Sequence, residues 1–347
     1  MMKKLTMTMA ALALCLAAFQ GSQASAQNVE GAFKGKTVRI LIPTGPGGDR
    51  ALYTLPFASY YGRHIPGNPT VIAVFMPGAG GSLALNNIAN VAAPDGLTIT
   101  TPLGSVLNAQ IIGDESVKYD ARKFKWIGRT DSSTRVLTVS KTVTAQTLDD
   151  LRKTEIIIGA VGQASDTATN AYFMNKLFNT KFKVIAGYGA ANKVVLAMLS
   201  GETQGSFGTW NNVSTNHAQA LRDGDIRPLL QIALTADPTM PNVPLLLDMA
   251  EGEEAKQLVR IMSSSTLMGQ SFAGPPALPE PILTALRRAF DATMVDKEFV
   301  EKMNNIGVKF TPMTGEDLTK QVDQIMNTSP ELVERYKAIS GEGGAAP

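Results

Sequence analysis

The chain has 347 residues, 44% of them hydrophobic, and its 32 lysines and arginines nearly balance 30 aspartates and glutamates. A net charge of +2 provides no electrostatic surface for nucleic acid or anionic lipid, so neither partner is expected. One cysteine and two histidines rule out a disulfide framework and give no ligand pattern typical of a metal site.

The first 26 residues have the order of a secretory signal peptide. Lys3 and Lys4 precede an apolar stretch shorter than the ~20 residues that cross a bilayer, and Ala24 and Ala26 suit signal peptidase. Cleavage is expected after Ala26, which would place the mature protein in the periplasm. A lipoprotein site at Cys15 is disfavoured because cleavage there would cut through the apolar core of the signal.

After this leader, short β-branched runs alternate with longer helical patterns, which predicts an α/β class built on parallel sheets with crossover helices. A glycine-rich turn repeatedly joins a strand to a helix. The predicted elements are a strand at 38–43, the turn Gly45-Pro46-Gly47-Gly48, a helix at 51–61, a strand at 70–75, a glycine turn at 77–81, a helix at 83–91 and a strand at 97–101.

A second region repeats this scheme after strands around 126–128 and 136–140. Its predicted elements are a strand at 155–159, a Gly/Ser loop at 160–166, a helix at 167–178, a strand at 182–186, the loop 187–189, a helix at 190–199 and a strand at 204–207. The second region is therefore a smaller α/β unit.

A Pro-rich stretch near 275–281 and the helices beyond it predict a return to the first unit. Residues 27–131 and 264–347 are accordingly predicted to form domain 1, and residues 132–263 domain 2. In the helix after Pro281 the apolar residues share one face, which predicts core positions for Ile282, Leu286, Phe290 and Met294.

The glycine turns resemble dinucleotide-binding loops only in their first half. Arg50, Leu83 and Asn192 stand where the motif requires its third glycine, so a nicotinamide site is rejected. Glycine at a strand-to-helix turn lets backbone N–H groups face an anion over the positive end of the helix. The alternative is that these glycines only form tight turns.

Binding energies favour a closing cleft over a single loop. A helix dipole contributes ~0.3 to 1 kcal/mol, whereas micromolar binding needs ~8 kcal/mol. Several charge-assisted hydrogen bonds must therefore be added, and two domains that close over a ligand supply them by excluding water.

Side chains near the turns have competing interpretations. Tyr188 can form a cleft wall or pack over its own loop, and Trp210 is favoured as a cleft residue because it follows a strand end. Ser165 and Asp166 lie where the second loop becomes a helix, so either can cap that helix, and capping is favoured for Asp166.

Enzyme interpretations find little support. Residues 269–273 resemble a nucleophile elbow around Ser271 but end in Ala273 instead of glycine, which leaves a hydrolase as a weak alternative. His64 and His217 are expected at the surface or at helix caps. No catalytic residue, metal or cofactor is predicted.

Together these motifs resemble the substrate-binding receptors of tripartite tricarboxylate transporters, the Bug or TctC-like family, over nearly the whole mature chain. The segments that carry the resemblance are 41–48, Pro77-Gly78-Ala79-Gly80-Gly81, Pro94-Asp95-Gly96, 159–165, Gly187-Tyr188, Leu199-Ser200-Gly201-Glu202, Pro241-Asn242-Val243-Pro244 and Phe272-Ala273-Gly274-Pro275-Pro276.

The resemblance implies a periplasmic-binding-protein fold of type II, with two α/β domains around a cleft that holds a small carboxylated organic acid for a membrane permease. A ligand sensor that docks a membrane partner without transport is the alternative, and a monomer is expected. The ligand-binding residues predicted from the resemblance and from the aromatic candidates are Thr44, Gly47, Gly48, Asp49, Val161, Gly162, Gln163, Ala164, Ser165, Tyr188 and Trp210.

The chain departs from the family pattern at the ligand end of the first loop. Ala51 and Leu55 stand where the family usually has an aspartate and an arginine, and Phe75 replaces a frequent asparagine. The identity of the acid is therefore left open.

Overall fold

The computed structural model describes residues 29–46, 49–162, 165–189, 191–306, 308 and 311–341. The leader and Cys15 lie outside these residues. Within them the chain forms eleven strands, which are β1 (Thr37–Ile42), β2 (Thr70–Phe75), β3 (Thr98–Thr100), β4 (Lys125–Arg129), β5 (Arg135–Ser140), β6 (Glu155–Ala160), β7 (Lys181–Ala186), β8 (Gly205–Thr209), β9 (Ile226–Ile232), β10 (Ser271–Gly274) and β11 (Met313–Thr314).

The strands form two mixed sheets, ordered β11-β4-β10-β3-β1-β2 and β7-β6-β8-β5-β9. β1 is parallel to β2 and β3, and β6 is parallel to β7 and β8. The prediction of parallel sheets is incomplete, because β5 and β10 run antiparallel to their neighbours. Both strands enter their sheet from the other sheet, so no crossover helix imposes a parallel direction on them.

The α-helices connect and cover the strands. They are α1 (Asp49–Tyr61), α2 (Ser82–Asn90), α3 (Ser105–Ile112), α4 (Leu148–Lys153), α5 (Asp166–Phe178), α6 (Ala191–Leu199), α7 (Trp210–Asn216), α8 (Ala218–Arg222), α9 (Leu246–Met249), α10 (Gly252–Met268), α11 (Glu280–Met294), α12 (Lys297–Asn305), α13 (Gly315–Met326) and α14 (Pro330–Gly341). Among the described residues, every helix is too short or too polar to cross a membrane.

An aromatic cluster forms the core beside the first sheet. The ring of Phe57 on α1 stacks on Phe272 of β10 with centroids 4.2 Å apart and on Tyr61 at 4.6 Å. Phe290 of α11 joins them, and the predicted apolar face of that helix is buried as expected. Such ring pairs add about 0.5 to 1.5 kcal/mol beyond the burial of their area, which fixes α1 against the sheet.

Two segments cross between the sheets and are bonded to each other. The outgoing segment, 130–134, leaves β4, and the returning segment, 266–270, enters β10. Thr130 N–H donates to the carbonyl of Gln270 at 3.0 Å, and Gln270 N–H donates to the carbonyl of Asp131 at 2.9 Å. Gly269 has φ +25°, and an added Cβ would lie 2.0 Å from the Asp131 carbonyl oxygen, so this contact requires glycine.

The last helix packs against the second sheet's layer. Tyr336 of α14 lies in the same apolar cluster as Phe173 of α5, with ring centroids 6.0 Å apart. The boundaries at 131/132 and 263/264 stay a prediction. Strands β5 to β9 all fall within 132–263, whereas α14 contacts that part of the molecule from outside this range.

Candidate functional site

A cavity of about 640 Å³ lies between the two sheets and is the candidate site. One wall is formed by Leu52 and Tyr53 of α1, and the opposite wall by Trp210 and Asn211 of α7. The outgoing crossing segment contributes Asp131 and the hydroxyl residues that follow it. The lining is thus assembled from elements of both sheets, and most of its residues are of polar types.

Asp131 joins the walls of the cavity. Its Oδ2 accepts hydrogen bonds from the Tyr53 hydroxyl at 3.4 Å and from Asn211 Nδ2 at 3.0 Å. Its Oδ1 accepts from the N–H and the hydroxyl of Thr311 at 3.3 and 3.0 Å. Asn211 Nδ2 also donates to the Tyr53 hydroxyl oxygen at 2.7 Å. The network therefore ties α1 to α7 through one carboxylate.

Burial governs the charge state of this group. Asp131 is 7% exposed, and desolvation raises the pKa of its carboxyl to about 6, against the opposing effects of the Thr311 hydrogen bonds and the positive charge of Arg129. Arg129 is itself buried, which lowers the pKa of its guanidinium to about 10. Two buried groups of opposite charge therefore lie close in sequence, Arg129 at the end of β4 and Asp131 in the outgoing segment.

A second acid lies at the Trp210 side of the cavity. Asp237 Oδ1 accepts hydrogen bonds from the N–H and the hydroxyl of Thr239 at 2.9 and 2.6 Å. The same hydroxyl accepts from the Trp210 indole N–H at 2.8 Å, which fixes the ring against the cavity. Gln270 also lines the cavity, and its buried Oε1 has no partner among the described residues.

The first glycine loop leads from β1 into α1. Thr44 lies in it, and its buried hydroxyl has no partner among the described residues. Gly47, Gly48 and the side chain of Asp49 lie outside the described part of the chain, although Asp49 begins α1. Arg50, only 6% exposed, donates from Nη1 to the Thr101 hydroxyl at 3.1 Å. A guanidinium thus lies at the amino-terminal end of α1, near the end of β3.

The second glycine loop, between β6 and α5, is bonded within itself. Val161 N–H donates to the Thr167 hydroxyl at 2.9 Å, and Gly162 N–H donates to Ser165 Oγ at 3.2 Å. The two hydroxyls lie 2.6 Å apart, and Ser165 Oγ donates to the Gly162 carbonyl at 2.6 Å. Gln163 and Ala164 fall outside the described residues.

Asp166 does not cap helix α5 as predicted. Ser165 occupies the N-cap position, and Asp166 is the first helical residue. The Asp166 carboxylate forms an ion pair with the guanidinium of Arg135 on β5. The reason is geometric, because the first helical residue directs its side chain away from the N–H groups that a cap must reach.

Tyr188 lies in the third glycine loop and packs along the second. The N–H of Tyr188 donates to the Ala160 carbonyl at 3.4 Å, and that of Gly189 donates to the Val161 carbonyl at 3.0 Å. The Tyr188 hydroxyl donates to Glu202 Oε1 at 2.8 Å. This arrangement matches packing over the loop, and Tyr188 is not among the residues that line the described cavity.

Of the predicted site residues, Trp210 lines the cavity, and the described loop residues lie around the starts of α1 and α5. Sequence reasoning missed Tyr53, Asp131, Asn211 and Gln270. The polar run Asp131-Ser132-Ser133-Thr134 directly after a strand was the available signal, because polar side chains at strand ends gather at clefts.

Residues weighed for catalysis are placed without an evident catalytic arrangement. Ser271 lies within β10, fully buried, and not at a strand-to-helix turn. His64 Nε2 lies 2.9 Å from Asp296 Oδ2 on the first sheet's side. The described residues contain no group of three or more His, Cys, Asp or Glu side chains that can hold a metal ion.

Comparison with known proteins gives a family match. The model described as tripartite tricarboxylate transporter family receptor, TctC, matches residues 63–337. No curated protein sequence matches the chain.

Solved structures show the fold. A TctC solute-binding protein from Polaromonas superposes with a TM-score of 0.69 at 17% identity, covering 89% of this chain and 99% of its own. MatC from Rhodopseudomonas palustris with bound malate gives 0.55 at 18% identity, with coverage of 89% and 100%. A second R. palustris protein, with adipate, gives 0.56 at 15% identity, with coverage of 88% and 98%. The architecture is that of a two-domain periplasmic binding protein.

Proposed function

We propose that this chain, which belongs to the tripartite tricarboxylate transporter family of receptors, captures a small organic acid in its cleft and delivers it to a membrane permease. The observation that carries the proposal is the position of the cavity. It is lined by Leu52 and Tyr53 in the first turns of α1, next to the buried guanidinium of Arg50 and the positive end of the helix.

The energy of carboxylate capture can be supplied at this end of the cavity. A charge-assisted hydrogen bond contributes about 1.5 to 3 kcal/mol, and micromolar affinity needs about 8 kcal/mol. Arg50, the Thr44 hydroxyl and the backbone of Gly47, Gly48 and Asp49 are proposed to hold the carboxylate together. The N–H groups of Val161 and Gly162 already have partners. The second loop is therefore proposed to cover the ligand without donating these two N–H groups to it.

Relatives support the chemical class of the ligand. The R. palustris structures contain malate and adipate, which are both small carboxylic acids. We propose the same broad class for this chain, without a catalytic step.

The site of action follows from the family and the leader. BugD, a solved structure of similar fold, is a periplasmic binding protein. We propose that residues 1–26 direct export and are removed after Ala26. The mature protein is proposed to act in the periplasm as a monomer, with its domain boundaries near residues 131 and 263.

Ligand screening tests the proposal. The mature protein is mixed with succinate, malate, adipate and benzoate, and with the methyl esters of the same acids as uncharged controls. At least one acid is expected to raise the melting temperature and to form a one-to-one complex in native mass spectrometry, while its ester does neither. Failure of every acid, or equal binding of acids and esters, would refute carboxylate capture.

A further inference from the structure

The cavity wall on the side of the second sheet brings three uncharged polar residues together. The Trp210 N–H donates to the Thr134 carbonyl at 2.8 Å, which joins the outgoing segment to the start of α7. Ser133 lies on that segment, and Thr209 and Asn211 flank Trp210 in the sequence. All three line the cavity, so their side chains gather at one corner of it.

Hydrogen-bonding atoms of these three residues are unused within the described part of the chain. Thr209 is the N-cap residue of α7, but its hydroxyl forms no capping hydrogen bond, and the Ser133 hydroxyl has no described partner. Asn211 donates from Nδ2 to Tyr53 and Asp131. Since a carboxylate only accepts, this orients the amide and leaves Asn211 Oδ1 without a described donor. The three residues are half-buried, and none of these oxygens is enclosed by protein.

The wall on the side of the first sheet is apolar. Leu52 of α1 is 48% exposed and lines the cavity, together with Ile306 and Val308, which pack on the core beside the first sheet. On the other wall, the Trp210 indole N–H donates to Thr239 Oγ1 at 2.8 Å, which fixes the ring by its edge. A ligand between the walls therefore meets hydrocarbon on one side and neutral hydrogen-bonding groups on the other.

The same space disfavours a second negative charge on the ligand. The carboxylates of Asp131 and Asp237 line it, and no lysine, arginine or histidine is among the described lining residues. A second carboxylate would be repelled by these like charges. Four hydrogen bonds already occupy both oxygens of Asp131, so its charge opposes an anion without requiring a cation. The part of the ligand away from the first loop is therefore expected to be uncharged.

We propose that the solute is a hydroxylated monocarboxylate, of which a sugar acid is the simplest type. A hydroxyl group both donates and accepts, so it can donate to Asn211 Oδ1 and accept from Ser133 or Thr209. The C–H groups of the same chain pack between Leu52 and Trp210. The inference rests on the proposed function, because the first loop must hold the carboxylate. Acids without hydroxyl groups keep that carboxylate contact and bind more weakly.

Matched ligands test this selectivity. Hexanoate, adipate, gluconate and glucarate have carbon chains of equal length and differ in their hydroxyl groups and in the second carboxylate. Cyclohexanecarboxylate and quinate form a ring-shaped pair that differs in hydroxyl groups. In calorimetric titrations of the mature protein, the hydroxylated monocarboxylate of the better-bound pair is expected to bind at least about tenfold more tightly than hexanoate or cyclohexanecarboxylate. Gluconate is also expected to bind more tightly than glucarate.

The outcomes separate this inference from carboxylate capture. If hexanoate and cyclohexanecarboxylate bind as tightly as gluconate and quinate, or if glucarate equals gluconate, the inference is overturned while carboxylate capture stands. The same holds if none of these ligands binds although an acid of the earlier screen does. Sorbitol has the gluconate chain with an alcohol in place of the carboxylate. Binding of sorbitol as tight as that of gluconate would overturn carboxylate capture, and this inference with it.

Hydroxyl-removing variants locate the contacts. Thr209→Val changes the shape of the side chain little, and both it and Ser133→Ala are expected to reduce the affinity ratio within the better-bound pair about threefold to tenfold, the equivalent of one neutral hydrogen bond. Thr70→Val is the matched control, because Thr70 is exposed at the start of β2, on the edge of the first sheet and outside the cavity lining. An unchanged ratio in both Thr209→Val and Ser133→Ala, with melting temperatures showing both folded, would overturn the inference.

Discussion

The first and second loops both join a strand to a helix and both contain glycine, but they differ in what their polar groups bind. In the second loop, the N–H groups of Val161 and Gly162 donate to the hydroxyls of Thr167 and Ser165. In the first loop, the Thr44 hydroxyl has no described partner, and a buried guanidinium, that of Arg50, lies at the start of the following helix.

A glycine-rich turn at a helix start therefore does not by itself make an anion site. The second loop satisfies its own donors, which stabilises its shape but removes two amides from ligand binding. The first loop combines a helix amino terminus with a positive side chain. The carboxylate is therefore assigned to the first loop.

The largest expected effect concerns Asp131, which connects the helix after the first loop with the opposite wall. Its pKa is about 6 in the folded protein and about 3.9 in an unfolded chain. The folded state thus binds the proton more tightly, and this contribution to stability is present below about pH 4 and lost as the pH rises through about 6. Two pKa units correspond to roughly 3 kcal/mol.

Urea unfolding of the wild type and Asp131→Asn measures this effect. Relative to the variant, the wild type is expected to lose about 2 kcal/mol between about pH 4 and pH 7. Asp120→Asn is the control of opposite sign, because the hydrogen bond from Arg122 lowers the pKa of Asp120 to about 2. Stability from Asp120 is instead lost as the pH falls below about 4. If the difference in unfolding free energy between wild type and Asp131→Asn stayed constant with pH, the assigned burial of this charge would be contradicted.

The next largest effect tests the first loop directly. Arg50→Gln removes the positive charge at the start of α1, and the affinity for the bound acid is expected to fall about 10- to 100-fold, the equivalent of one charge-assisted hydrogen bond. Arg50→Lys is expected to lose less affinity for the acid than Arg50→Gln. Arg63→Gln is the matched control, because Arg63 is exposed and pairs with Glu298 at the surface. Equal affinities of Arg50→Gln and Arg63→Gln, measured by calorimetry on folded proteins, would remove Arg50 from the site.

A smaller effect is expected in the second loop. Thr167→Val removes the acceptor for Val161 N–H and is expected to reduce the unfolding free energy by about 1 to 2 kcal/mol. Ligand affinity should change less than tenfold, because these amides are assigned to the loop itself. Thr169→Val, in the same helix, serves as the control. A large loss of affinity with unchanged stability would show that the second loop binds the ligand through these groups.

The smallest effect is expected at the ion pair beside the second loop. Asp166 is 61% exposed at its side chain, and exposed pairs contribute about 0 to 1 kcal/mol. Asp166→Asn should therefore lower the melting temperature slightly, and high salt should reduce the difference from wild type. A decrease in melting temperature that persists in high salt would indicate that Asp166 has a role beyond its pair with Arg135.

Local patterns in the sequence predicted the elements that depend on near neighbours. The strand at 70–75 and the buried face of α11 follow from hydrophobic periodicity, and the hydroxyls that close the second loop lie within six positions of their partners. The family resemblance, stated from motifs, is confirmed by the match over residues 63–337.

The site depends on contacts that periodicity does not encode. Asp131 meets Tyr53, Asn211 and Thr311 at separations of 78, 80 and 180 positions, and Arg50 meets Thr101 at a separation of 51. In the sequence each of these residues has a common polar side chain, and only the packing of the two sheets brings them close together. The antiparallel entry of β5 and β10 was missed for the same reason, because the crossing segments arrive from the other sheet.

A crystal structure of the mature protein with the tightest-binding acid of the screen would test whether the first loop binds the carboxylate. One carboxylate is expected within hydrogen-bond reach, about 2.7 to 3.2 Å, of the first loop or of the Arg50 guanidinium, with the rest of the ligand between α1 and α7. A carboxylate held only by the second loop, or bound outside the cavity, would contradict the assignment of the carboxylate to the first loop.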